Sequence, residues 1–316
     1  MKSSHFLIPC LLLLIACSNT KQEKIFGTEA QLGEALFFDP MLSRDSTISC
    51  ASCHKPEFAF ADNTPVSVGV YHQKGGRNTP SSMNQSNRNA YFWDGRAETL
   101  EEQALGPIEN PVEMDLPISM AVRRLAQSEK YRNAFYSIYG KQPSSELLAR
   151  AIAAYEKTLE TNNSAFDNYM NGTDTSLFSK SAKRGLNLFN GKAKCFDCHF
   201  GVDFTGNDQY KNIGLYNGKE LNDKGRIVIS GKEKDLGSFK TPGLRNIAMT
   251  APYMHNGMFK TLMEVIEHYD QPDKFVKGAI NRDTTMNKPL NLTATEKKDL
   301  ENFMLSLTDA QFLKKK

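Results

Sequence analysis

Two short stretches bring two thiols and an imidazole to one fixed spacing: Cys50-Ala51-Ser52-Cys53-His54 and Cys195-Phe196-Asp197-Cys198-His199. Thiols three residues apart can reach both vinyl groups of one porphyrin, and the histidine that follows then falls beneath the iron as proximal ligand. Each stretch therefore reads as the attachment site of a covalently bound haem c. Zinc binding and dithiol redox chemistry are the other uses of such a pair. Two copies with no partner cysteines to complete zinc spheres argue against both. Two haems alone do not make an enzyme. An electron carrier keeps both irons six-coordinate, whereas a site that activates oxygen or peroxide needs an open position with acid–base groups beside it.

The other cysteines are accounted for at the N-terminus. Lys2 and His5 precede an apolar run from Phe6 to Ile15, laid out as an export signal and too short to span a bilayer comfortably. The run ends in Leu14-Ile15-Ala16-Cys17, which resembles the lipobox of bacterial lipoproteins. That resemblance implies a signal peptide of residues 1–16, lipidation of Cys17 and a periplasmic protein anchored to a bacterial membrane. Several acyl chains hold stably where one does not. A plain secreted protein with a chance cysteine there is the alternative. Residues 17–27 then read as a polar tether. Cys10 leaves with the signal, so of six cysteines the four in the motifs remain and none is spare for a disulfide.

Helices must position these motifs. Each half opens on a Gly-x-x-Leu-Phe helix, Gly33 to Phe37 and Gly185 to Phe189, that leads into its Cys-x-x-Cys-His. The period of this duplication is far too long for a solenoid. Pro143-Ser144-Ser145 starts a segment with Leu148, Ile152, Tyr155 and Leu159 on one stripe. Thr293 and Glu296 form a capping box before Leu300, Phe303, Met304 and Leu307. Strand signals are few and short, as over Pro65 to Val70, and the polar stretch Asn162 to Ser179 is the passage between halves. The expectation is a mainly α protein of two cytochrome-c-like domains, 28–165 and 166–316, each built around one covalent haem, with few short strands. The 316 residues are 24% charged and 40% hydrophobic, ordinary for globular domains. A net charge of +3 with no basic, aromatic-rich run gives no ground for nucleic-acid binding.

Many further stretches accompany the two motifs in order. They are Ala35-Leu36-Phe37-Phe38-Asp39-Pro40, Arg77-Asn78-Thr79-Pro80, Phe92-Trp93-Asp94-Gly95-Arg96-Ala97, Glu102-Gln103-Ala104 and Asn110-Pro111-Val112-Glu113-Met114. Lys240-Thr241-Pro242, Leu244-Arg245-Asn246 and Ala251-Pro252-Tyr253-Met254-His255-Asn256-Gly257 complete the set. From about Gly33 to Leu307 the chain thus resembles the bacterial di-haem cytochrome c peroxidases, within the wider family that includes MauG-type enzymes. The resemblance implies a peroxide-reacting haem on His54 in the first domain and an electron-transfer haem on His199 in the second. It implies Gln103 and Glu113 as the distal-pocket pair. A buried carboxyl suits the proton transfer that splitting peroxide requires, and a surface glutamate near Pro111 is the plain alternative. Gln103 would orient peroxide or hold Glu113. Trp93, the chain's only tryptophan, falls between the haems, as an electron relay, an interdomain core aromatic, or both. Asn78, Thr250 and Pro252 fall where a calcium ion binds between the domains, with no carboxylate among them.

Two positions depart from the peroxidase pattern. Aligned on Gln73-Lys74-Gly75, the position of a distal histidine falls on Val70. His72, two residues on, is a switchable sixth ligand or a solvent-facing loop residue, and a permanently open iron is the expected outcome. The sixth position of the His199 haem, methionine in typical peroxidases, falls on Tyr269 as in MauG-type proteins, in a helical segment from Thr261 to Asp270. A phenolate there stabilises ferric iron and lowers its potential relative to a thioether. Met254, Met258 and Met263 are nearby alternatives. Three functions remain in view. The first is a periplasmic peroxidase that passes electrons from a small cytochrome c or copper protein, through the His199 haem, to hydrogen peroxide at the His54 haem. The second is a MauG-like enzyme that uses peroxide to oxidise a protein or organic substrate. The third is a di-haem electron carrier, against which Glu113 and Gln103 argue. Dimers are common in the family, so a homodimer is a further expectation.

Overall fold

The computed structural model describes residues 26–313. The expected signal peptide, Cys17 and tether residues 17–25 lie outside them. The described residues of the first half form α1 (Glu29–Phe38), α2 (Cys50–Cys53), α3 (Leu100–Glu109), α4 (Ile118–Gln127), α5 (Glu129–Tyr139) and α6 (Ser145–Glu156). Those of the second form α7 (Ala165–Met170), α8 (Lys180–Asn190), α9 (Ile227–Ser230), α10 (Leu262–Asp270), α11 (Ala294–Leu305) and α12 (Ala310–Leu313). Among the described residues, β1 (Tyr210–Lys211) and β2 (Phe239–Lys240) are the strands, antiparallel with Tyr210 opposite Lys240. The chain is mostly α.

The helix starts are written in the sequence. The Thr28 and Ser144 side chains accept the N–H groups of Gln31 and Leu147, each at 3.2 Å, at the heads of α1 and α6. Thr261 with Glu264 and Thr293 with Glu296 make reciprocal capping boxes on α10 and α11. Each satisfies backbone donors that a helix leaves unpaired in its first turn.

Each half then closes a helix pair over its own core. α1 lies along α6, and α8 along α11. Leu32, Leu36 and Phe37 meet Leu148, Ile152 and Tyr155 in the first core. Leu36 and Leu148 are completely buried, and a leucine so placed contributes about 1.5–3 kcal/mol. Phe189, Phe204 and Phe303 meet edge to face in the second. The pairs can approach because Gly33 lies against the Ala151 carbonyl and Gly185 against that of Asp299.

Two local expectations differ from the structure. Pro65 to Val70 forms no strand; Val68 makes a single bridge with Lys74. Tyr71 and His72 take left-handed φ values of 56° and 60°, which end any extended run. The passage between halves contains α7, because Ser164 and Asp167 form a capping box that the composition concealed, and Phe166 packs on the second core.

The halves meet through polar contacts. The Arg77 guanidinium grips Asp223 with two bonds of 2.7 and 2.9 Å and reaches Asp94 at 2.6 Å. Arg88 pairs with Asp208 at 2.7 Å and donates to the Thr241 carbonyl at 3.0 Å. The Lys240 N–H donates to the Trp93 carbonyl at 2.7 Å.

Candidate functional site

Among the described residues, a cavity of about 240 Å³ lies in the first half and one of about 210 Å³ in the second. Cys50, Cys53 and His54 line the first, and Cys195, Cys198 and His199 the second. Burial pushes the Cys50 and Cys53 thiols up, and Cys195 to about 12. All four thiols are free, so no disulfide competes.

Both histidines are oriented by their backbones. The Nδ1 of His54 lies 3.0 Å from the Phe60 carbonyl, and that of His199 lies 2.9 Å from the Phe204 carbonyl. A carbonyl only accepts, so it fixes the proton on Nδ1 and leaves the Nε2 lone pair free for a metal. Burial lowers the proton affinity of both rings, with the carbonyl bonds opposing, and keeps them in the neutral form that ligates. The residues fit two covalent haems.

Gln103, from α3, and Glu113, from the turn after Pro111, line the His54 cavity. Glu113 is set there by backbone. Its carbonyl accepts the Val70 N–H at 2.8 Å, and Gly69 lies so close that a Cβ would overlap the Glu113 carbonyl. Glu113 Oε1 accepts from the Asn110 amide at 2.7 Å, so Asn110 rather than Gln103 holds the carboxyl. Burial pushes its pKa above the usual carboxylate range, while Asn110 and Arg96 pull the other way. Such a group keeps a proton at a pH where an exposed glutamate has lost it. Val70 is wholly buried and His72 sits exposed on the loop; neither is among the cavity-lining residues. The structure does not bring His72 into the site; it stands exposed, with a left-handed φ of 60°.

Trp93 lines both cavities. Its indole N–H donates to the Asn78 carbonyl at 2.8 Å, and its ring meets the His255 edge at 6.5 Å. Asn78, Thr250 and Pro252 all line the second cavity. Asn78 donates its amide hydrogens to the Thr64 and Pro65 carbonyls at 3.1 and 3.3 Å, which leaves Oδ1 as the oxygen able to face a hard cation. Tyr269, on α10, lines the second cavity with His199, and so does Met254; Met258 and Met263 do not. Burial pushes the Tyr269 phenol far up, so a neighbouring cation is needed to hold it as phenolate.

Sequence reasoning assigned no role to three groups that the structure puts here. His255 stacks on Phe239 at 3.7 Å beside Trp93, and burial pushes its pKa down to about 4, so it is neutral near pH 7. Lys240 lines both cavities and burial pushes it down to about 7, with Arg88 adding to the effect and Asp208 opposing it. Glu156, at the end of α6, lines the first cavity. A helix-terminal glutamate reads as solvated; its burial comes from long-range packing that no local pattern signals.

Comparison with known proteins follows the same lines. The profile of the family described as di-haem cytochrome c peroxidase matches residues 27–175. Cytochrome c551 peroxidase of Nitrosomonas europaea is 39% identical over 241 residues, covering 75% of this chain and 71% of its own. Methylamine utilization protein MauG of Methylorubrum extorquens is 36% identical over 291 residues, covering 91% and 80%. A crystal structure of a MauG-like protein associated with microbial copper homeostasis matches with a TM-score of 0.82 at 31% identity, covering 93% of each chain.

Proposed function

The chain belongs to the di-haem cytochrome c peroxidase family and is a peroxidase-type oxidoreductase, and from that premise we propose that it reduces hydrogen peroxide at the His54 haem with electrons entering at the His199 haem. The overall balance is one peroxide, two electrons and two protons to two waters. The haems supply the electron exchange. Everything else falls to the protein.

Glu113 carries the reading. It is a largely buried carboxyl in the same cavity as His54, with its proton affinity raised, held by Asn110. The carboxylate takes the proton from one peroxide oxygen and returns it to the other as the O–O bond breaks, so that water rather than hydroxide leaves. Gln103 lines the cavity with an amide able to orient peroxide. Trp93, which borders both cavities, offers an aromatic route for the electrons. Glu113→Gln should keep both haems and small-ligand binding at the His54 iron, yet slow peroxide turnover about 10²–10⁴-fold, the usual worth of a positioned acid–base group. Near-normal turnover would remove Glu113 from the mechanism.

A second reading is MauG-like oxidation of a protein or organic substrate through Trp93. Tyr269 in the second cavity and Val70 at the distal-histidine position favour it. An electron carrier has no use for Glu113 beside the iron. The donor in the first reading is a small periplasmic cytochrome or copper protein, the location being the periplasm with a lipid anchor on Cys17. No helix among the described residues is long and apolar enough to cross a membrane. Asn78, Thr250 and Pro252 would hold a calcium ion between the halves.

A further inference from the structure

The two halves repeat one histidine site. In each, a phenylalanine carbonyl meets the histidine Nδ1, and a Thr-Pro pair, Thr79-Pro80 or Thr241-Pro242, lines the cavity. In each, a glycine sets the register of the helix pair, Gly33 against Ala151 and Tyr155, Gly185 against Asp299 and Phe303. Counting from these fixed points matches residues across the halves. The residue after Tyr155 is Glu156, and the one after Phe303 is Met304. Two places beyond the prolines stand Ser82 and Leu244. Each pair lines its own cavity. One half has a hydroxyl and a carboxyl where the other has leucine and methionine.

The polar pair is unfavourable for packing alone. Glu156 is 4% exposed, its Oε2 has no hydrogen-bond partner among the described residues, and burial pushes its pKa up to about 8. An underpaired buried polar atom costs on the order of 1–3 kcal/mol. Met304 shows that the fold can be closed without it. Ser82 stands against the histidine. Its Oγ lies 3.0 Å from His54 Nδ1, and the Glu156 carboxyl lines the same cavity with its Oε2 unpaired among the described residues. The Ser82 N–H donates at 3.0 Å to the Phe60 carbonyl, the oxygen that His54 also meets, so Ser82 is held in place.

We propose that Ser82 and Glu156 form a polar relay behind His54 that strengthens this histidine as an iron ligand, and that the lack of this relay behind His199 makes the proximal sides of the two haems unequal. The proposal rests on His54 as proximal ligand. In this relay the His54 Nδ1–H is shared between the Phe60 carbonyl and Ser82 Oγ, and the Ser82 O–H donates to Glu156. Drawing the Nδ1 proton outwards makes Nε2 a better donor, which favours the more oxidised iron. Both are positioning residues; neither touches peroxide.

The test uses the haem-loaded full chain without peroxide, at a pH above about 8, where Glu156 is ionised despite its raised pKa. Midpoint potentials of both haems and the iron–histidine stretch of the reduced protein are measured for Glu156→Gln, Ser82→Ala and the double variant. Each single variant should raise the potential of the His54 haem by roughly a tenfold change in its redox equilibrium, about 59 mV for one electron, and lower its iron–histidine frequency. The His199 haem should not move. The double variant should add little to either single one, because the groups act in series, and Glu156→Asp should recover part of the shift. An unmoved His54 haem would overturn the relay, and so would equal shifts of both haems or fully additive effects. Where Glu156→Gln fails to fold, Ser82→Ala, which deletes one hydroxyl, decides alone. Failure here leaves peroxide reduction intact, whereas a wild-type spectrum without histidine ligation would refute the underlying reading instead.

Discussion

At the scale of single residues, Glu113 must accept and release a proton within one turnover, so its proton affinity sets the pH range of the reaction. The carboxylate form is the one that takes the first proton. Burial raises its pKa, so the active form is lost as pH falls through a value above the ordinary glutamate range near ~4.3. The pH profile of kcat/KM should show an acidic limb above that range, and Glu113→Gln should abolish it together with the rate. Tyr269 is the other residue with a large consequence. With its phenolate on the His199 iron, Tyr269→Met should raise that haem's potential in a redox titration, because a neutral thioether no longer favours the ferric charge. A wild type that already shows histidine–methionine spectra would make Tyr269 a packed helix residue. The thiols and their histidines were legible because covalent attachment imposes a fixed spacing. Glu156, His255 and Lys240 were not, since their burial comes from packing against other chain segments, such as Trp93 beside Lys240 and Phe239 stacked on His255, which no local pattern signals.

The elements show how closely the site depends on helix contact. A methyl on Gly33 would overlap the Ala151 carbonyl and crowd the Tyr155 Cβ, forcing α1 and α6 apart. Gly33→Ala should therefore cost about 1–3 kcal/mol, as overpacked contacts do, and lower the midpoint of chemical denaturation. An unchanged midpoint would show that the pair can separate freely. The helices were readable from caps and stripes: Ser144 before Leu148, Ile152 and Tyr155, and Thr293 with Glu296. The Pro65 to Val70 run misled. Its alternation resembles a strand, but Gly69 is pinned on the Glu113 backbone and Tyr71 and His72 turn left-handed. That loop serves to place a carboxyl.

For the whole molecule, anchoring and chemistry are separable. Cys17 precedes the described fold, so Cys17→Ala should release the protein from membranes with its haem spectrum unchanged; continued membrane attachment would contradict the lipid anchor. Arg77, Arg88 and Lys240 bind the halves together beside Trp93, which lines the cavities of both. The central claim is that the His54 iron is open at rest, since the position expected for a distal histidine falls on Val70 and His72 is exposed on the loop. Rapid mixing of the fully ferric, haem-loaded protein with hydrogen peroxide tests it directly. The account predicts an immediate absorbance change at the His54 haem, equally fast with or without prior one-electron reduction. No reaction until the protein has been half-reduced would mean that a side chain such as His72 closes the iron, and would contradict it.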